Sequence, residues 1–143
     1  MTQENKELLL KDLCARLPYG VKFLRESWNY EWDQELSVVE VLEDVDNEGY
    51  INHTRVYKVW DIKPYLRPMS SMTEEEYDDM FHQLYSAQEE FFRNCSNADT
   101  IGKIIANDMV RYDWLNKKMF DYRGLIPKGL AIAVTEENNP YKG

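Results

Sequence analysis

The sequence predicts an α+β fold: a small antiparallel β-meander packed against one long helix, with two further helices. Three patterns predict it. Residues 73–93 place Tyr77, Met80, Phe81, Leu84, Tyr85, Gln88, Phe91 and Phe92 at helical spacing. Residues 36–45 and 50–60 are rich in Val, Leu, Ile and aromatic side chains, and the Asp46-Asn47-Glu48-Gly49 turn separates them as in a hairpin. Near the N terminus, Leu10, Leu13, Cys14 and Leu17 repeat at the i, i+3, i+4, i+7 spacing of one apolar helix face.

The first helix is expected over residues 4–16, stopped by Pro18-Tyr19-Gly20. Residues 21–26 alternate, with Val21 and Phe23 on one side, and should pair with the hairpin that follows. Residues 27–32 carry three aromatics, Trp28, Tyr30 and Trp32, and read as a loop. Residues 63–72 hold Pro64 and Pro68, which excludes a helix interior or a central strand there. Thr73 and Glu76 form a capping box that opens the long helix, and Glu74 to Glu76 complement its dipole. Residues 96–99 break the chain. Residues 100–106 fit helix or strand equally, because Ile101, Ile104 and Ile105 suit both. Residues 107–120 read as helix along Met109, Tyr112, Leu115 and Met119, ended by residues 121–124. Residues 130–134 could add an edge strand, and residues 135–143 read as a flexible polar tail. No repeat or linker divides the chain, so residues 1–143 are expected to form a single domain.

Its 143 residues suffice for a hydrophobic core without disulfides. With 43% apolar and 13% aromatic residues, the chain is not a disordered, charge-dominated one. No apolar run is long enough to span a membrane and no signal-like leader opens the sequence, so the expected compartment is the cytoplasm. The net charge of −9 disfavours direct binding to nucleic acid. The two cysteines, Cys14 and Cys95, are scattered and read as reduced thiols, with Cys14 on the apolar face of the first helix.

Chemistry-bearing patterns are few. Residues 44–51 copy the opening of a calcium loop, but Arg55 stands where a bidentate Glu is needed, so they read as a hairpin turn. His53 and His82 lie in unrelated elements, without zinc spacing. Gly-rich phosphate cradles and nucleophile elbows are absent. The cluster of Glu74, Glu75, Glu76, Asp78 and Asp79 reads as a solvated helix face. No catalytic residue, metal or cofactor is expected. Two stretches remain as candidate ligand- or partner-binding sites. One offers Tyr65, Arg67, Ser70 and Ser71 beside a helix N-terminus. The other offers Trp114, Asp121, Tyr122 and Arg123, where an Asp–Arg pair around a tyrosine could clamp a polar ligand or simply cap a helix.

Residues 63–76 (KPYLRPMSSMTEEE) resemble a segment of small uncharacterised proteins of Bacteroides-type gut bacteria and their phages. Residues 113–116 (DWLN), 120–126 (FDYRGLI) and 128–131 (KGLA) are similar to the C-terminal signature of the same proteins, and residues 13–21 (LCARLPYGV) to their N-terminal segment. The resemblance implies a phage or mobile-element origin and a host bacterial cytoplasm. It implies no activity. The sequence departs at Lys117-Lys118-Met119, where a more His-like stretch is expected, which speaks against a metal there.

Three functional readings follow. The first is a non-enzymatic binding or regulatory protein whose acidic, aromatic-rich surface captures a basic cytoplasmic protein partner; a DNA mimic is its sharper form. The second is a small-molecule or nucleotide site, with or without turnover, between residues 65–72 and 114–123. It requires Arg67 and Arg123 to reach one pocket. The third is a homo-oligomer bridged by a sheet edge.

Overall fold

The computed structural model describes residues 1–29, 31, 33–94 and 100–142. Among them the chain forms α1 (Gln3–Arg16), β1 (Lys22–Asn29), β2 (Gln34–Val41), β3 (Ile62–Leu66), α2 (Glu74–Asn94), α3 (Thr100–Lys117) and β4 (Ile132–Ala133). This is an α+β fold with a four-stranded sheet in the order β2-β1-β3-β4. β1 is antiparallel to β2 and β3, whereas β3 and β4 are parallel. The sheet is therefore mixed, not the antiparallel meander expected. The parallel pair is possible because α2 and α3 supply the long crossover that such strands need.

The hairpin also differs from expectation. β2 pairs with β1 along its whole length, from Lys22↔Val41 to Asn29↔Gln34. Residues 50–60 contribute only the isolated bridges Val45↔Ile51 and Tyr50↔Lys58. The ladder stops at Asn52 and His53, whose φ values of 49° and 61° lie in the left-handed region. The Asn52 side chain accepts from the Glu43 amide (2.7 Å) and donates to the Val41 carbonyl (2.8 Å), replacing ladder bonds with local ones. The turn at residues 46–49 forms as read: the Asp46 carboxylate accepts from the amides of Glu48 and Tyr50, both at 2.9 Å. Gly49 has φ +90°, and a Cβ there would meet the Trp60 ring at 3.2 Å. Of the aromatic loop expected over 27–32, residues 27–29 continue β1, while Tyr30 and Trp32 lie outside the described residues.

β3 contains Pro64 and is nevertheless central. Pro64 faces Phe23 of β1, and β4 pairs only from Tyr65 onward, so the ladder on that side begins past the proline.

Thr2 caps α1 by accepting from the Asn5 amide at 3.1 Å. The buried residues of α1 are Leu9, Asp12, Leu13 and Arg16, at i, i+3, i+4, i+7. The helix is thus rotated from the face expected through Leu10, Leu13, Cys14 and Leu17, and Cys14 is exposed. Its burying stripe includes a charged pair, which hydropathy alone reads as surface. Cys95 and the break at 96–99 lie outside the described residues.

Two hydrophobic clusters result. The first joins Leu9 and Leu13 of α1 to Val21, Phe23, Ile62 and Leu66 of the sheet region, with Leu42, Ile51, Val59 and Leu125 closing it. The second joins Met80 and Leu84 of α2 to Trp114 and Leu115 of α3, with Phe120 beneath. The long helix therefore packs on α3, not on the sheet as expected. Its aromatic stripe, Tyr77, Phe81 and Tyr85, faces solvent. The sheet is covered instead by α1 and by the irregular segments around it.

The capping box of α2 is present: the Thr73 hydroxyl accepts from the Glu76 amide and the Glu76 carboxylate from the Thr73 amide, both at 3.1 Å. α3 begins at Thr100, so residues 100–106 are helical. It ends earlier than expected, at Lys117, in a Schellman arrangement. The Phe120 amide bonds the Leu115 carbonyl and the Met119 amide bonds the Asn116 carbonyl. Met119 occupies the left-handed position with φ 64°, where glycine is the usual residue. Beyond β4, the expected flexible tail is anchored at Tyr141, whose hydroxyl donates to the Tyr65 carbonyl (2.7 Å) and accepts from the Lys22 amide (3.0 Å). No helix among the described residues is long and apolar enough to cross a membrane.

Candidate functional site

The polar side chains singled out from the sequence converge on the junction between the two clusters, and most are consumed there. Asp12, fully buried, accepts from Arg16 Nε (2.9 Å) and Nη2 (3.1 Å) and from Arg123 Nη1 (2.9 Å). Arg16 Nη2 also donates to the Phe120 carbonyl at 2.6 Å, linking α1 to the chain after α3. Both guanidiniums lie over the Tyr122 ring, at 5.3 and 4.7 Å from its centre. The Tyr122 hydroxyl donates to Asn116 Oδ1 at 2.9 Å. One carboxylate thus serves two guanidiniums, and Arg16 Nη1 is buried without a hydrogen-bond partner.

Asp121 is buried for a different reason. Its two carboxylate oxygens accept from the amides of Leu125 (2.8 Å) and Ile126 (2.9 Å), so it organises the turn after α3. The Trp114 indole donates to Asp79 at 3.0 Å and stacks on Phe120 at 5.7 Å. That donated bond holds the Asp79 carboxyl below its usual range. Tyr65 is buried, which pushes its phenol up.

Arg67 is equally committed. It grips Glu76 through Nη1 (2.6 Å) and Nη2 (2.7 Å), donates to the Ser71 carbonyl (3.2 Å), and covers the Phe120 ring at 4.2 Å. Its backbone exchanges hydrogen bonds with the Met119 carbonyl and the Asp121 amide. The Ser71 hydroxyl donates to the Pro68 carbonyl at 2.7 Å. Ser70 is exposed. The three sequence segments of the resemblance therefore meet at Arg16, Arg67 and Phe120, and what they build there is a joint between α1, β3, α2 and α3.

A cavity of about 530 Å³ does open between the two candidate stretches. Arg67 and Ser71 line it on one side and Lys117, Lys118 and Met119 on the other, with residues 134–142 forming the third wall. Arg123 is not among its lining residues, because it is held at Asp12 on the other side of the joint. Tyr65, Trp114, Asp121 and Tyr122 do not line it either. The residues missed in the sequence are Tyr19, Lys142 and the pair Lys117-Lys118. The adjacent lysines, in a chain of net charge −9, were the available signal.

A second feature is the outer face of α2. Tyr77, Phe81 and Tyr85 are 54%, 61% and 57% exposed, one turn apart, with Glu74, Glu75, Asp78 and Glu89 exposed around them. A shallow groove beside Phe81 and Tyr85 reaches Asn107 and Arg111 of α3. Among the described residues no group of three or more His, Cys, Asp or Glu side chains could hold a metal ion. His53 lies 3.6 Å from Asp44 on an exposed turn, not on a strand.

The sequence matches no protein-family model, and no curated protein or solved structure matches the chain.

Proposed function

We propose that the protein is a non-enzymatic binding protein, and that the outer face of α2 captures a basic segment of a protein partner. The observation that carries this reading is the stripe Tyr77, Phe81 and Tyr85, more than half exposed on a helix whose adjoining face, through Met80 and Leu84, is already packed on α3. Exposed aromatics in a row mark contact surfaces, because burying each supplies about 1.5–3 kcal/mol before the cost of association. The surrounding Glu74, Glu75, Asp78 and Glu89 select the partner's sign. A second copy of the same stripe would oppose carboxylates to carboxylates, whereas a Lys- or Arg-rich amphipathic helix would complement both the apolar row and its rim. The resemblance to small proteins of Bacteroides-type gut bacteria and their phages supports a phage or mobile-element origin and a partner in the host cytoplasm.

A photo-crosslinking residue at position 81, with position 11 on the exposed side of α1 as control, tests the reading in a Bacteroides host. The expected result is an adduct at 81 to a protein with a basic segment, absent at 11 and lost in Tyr85→Glu. An adduct only to a second copy, the same adducts at both positions, or none at 81 would overturn it.

A further inference from the structure

We propose that the cavity between the end of α3 and residues 134–142 binds a small organic anion, a phosphate monoester on a compact, partly apolar body. The site is independent of the α2 face. Its volume, about 530 Å³, lies within the range of small-molecule pockets. The first argument is charge. Lys117, Lys118 and Lys142 line the cavity against a single carboxylate, Glu136, in a chain that carries −9 overall. Arg67 also lines it but is neutralised by Glu76. Among the described residues, Lys117 and Lys142 are in no ion pair.

The second argument is the capped end of α3, which forms one side of the cavity. The end of α3 would ordinarily oppose an anion. Here the Trp114, Leu115 and Asn116 carbonyls are already bonded by the amides of Lys118, Phe120 and Met119, which blunts the negative pole.

The third argument is the floor. Tyr19 is 37% exposed, and with Met119 and Val134 it offers an apolar and aromatic surface next to the lysines. A free inorganic ion would use the cations and leave that surface wet. An organic phosphate uses both.

Thermal shift followed by calorimetry on the full chain, at low salt, tests the site with AMP, GMP, CMP, UMP, glucose 6-phosphate and pyridoxal 5′-phosphate, with adenosine as the uncharged control and sodium chloride at matched ionic strength. At least one phosphate monoester should raise Tm where adenosine and salt do not. Lys117→Glu and Lys142→Glu sit on exposed side chains without ion pairs and should keep the wild-type unfolding transition while weakening that ligand ~10-fold or more. No shift with any of the phosphates, equal shifts with adenosine, or undiminished binding in both variants would overturn the proposal. Phe81→Glu should leave this binding intact, so the site stands or falls apart from the α2 face.

Discussion

Arg67 and Glu76 form a two-pronged ion pair, with bonds of 2.6 and 2.7 Å, that ties the end of β3 to the first turn of α2. The same carboxylate closes the α2 capping box by accepting from the Thr73 amide. Arg67 above all, with Thr73 assisting against a partial burial that works the other way, lowers the Glu76 carboxyl from 4.5 to about 2. A depressed folded pKa means that the stabilisation is complete above about 4.5 and is lost as the pH falls from there toward about 2. Glu76→Gln should therefore cost about 1–2 kcal/mol at neutral pH. It should also flatten the fall in stability across that acid window. Urea midpoints for wild type and variant, taken at neutral pH and through the window, check this. A variant that loses stability as steeply as wild type on acidification would show that the ion pair is not what titrates.

Asp12, itself fully buried, stands between two guanidiniums, which makes its removal costly. Asp12→Asn keeps the shape but leaves Arg16 and Arg123 without their counter-charge, and should destabilise by about 3–5 kcal/mol. Arg123→Met removes a partner that is 18% exposed and leaves the bidentate Asp12–Arg16 pair intact, so its cost should be smaller, about 1 kcal/mol. Chemical denaturation of both variants orders the two effects. Equal losses would mean that Arg16 alone does not hold the carboxylate.

How far these features could be read in advance depends on whether they are local. The Thr73–Glu76 box spans four residues and was legible. So were the body of α1 and the Asp46–Gly49 turn, each set by neighbours in sequence. The rotation of α1 was not, because Asp12 and Arg16 look like surface residues until Phe120 and Arg123 are brought to them. The end of α3 was not, because Met119 takes a backbone conformation for which a glycine would have been the signal. In sequence terms Pro64 argues against a central strand, and only the short reach of β4 reconciles it with one. The aromatic spacing of α2 marked a helix correctly but did not say which side would be covered: Met80 and Leu84 meet α3, and Tyr77, Phe81 and Tyr85 do not. For the candidate site, Arg67 and Ser71 were legible as polar residues in an irregular segment. Their true cavity partners, Lys117, Lys142 and Tyr19, come together only through the return of the C-terminal segment.

That return hangs on Tyr141. Its hydroxyl joins the Tyr65 carbonyl and the Lys22 amide, and burial pushes its phenol up from 10.0 to about 12. A raised pKa on this acid means that the folded state favours the neutral hydroxyl. The stabilisation is full below about 10 and is lost as the pH climbs through about 12. Absorbance titration at the tyrosinate band should show late-ionising phenols, since Tyr65 is raised as well, and Tyr141→Phe should remove one that titrates at about 12. The variant should lose about 1–2 kcal/mol at neutral pH, the loss of one hydroxyl with two partners in a half-buried place. It should also loosen the third wall of the cavity, read as faster amide exchange at Val134, whose amide bonds the Leu66 carbonyl. A Tyr141→Phe protein with unchanged stability and exchange would show that the C-terminal segment is held by other contacts.

The two sides of α2 make opposite demands on substitution. Leu84 is 7% exposed and packs with Met80, Trp114 and Phe120, so Leu84→Ala should cost about 2–4 kcal/mol by the lost burial and the hole left behind. Phe81 is one helical turn from Tyr77 and Tyr85 on the open side, and Phe81→Glu should change stability by less than about 0.5 kcal/mol. A side chain kept for folding would show the reverse order. The near-neutral result at Phe81, together with loss of the adduct at the α2 face in Tyr85→Glu, would separate a contact surface from a structural one. A loss at Phe81 as large as that at Leu84 would mean that the stripe is packed in solution, and the partner-binding reading of α2 would then lose its basis.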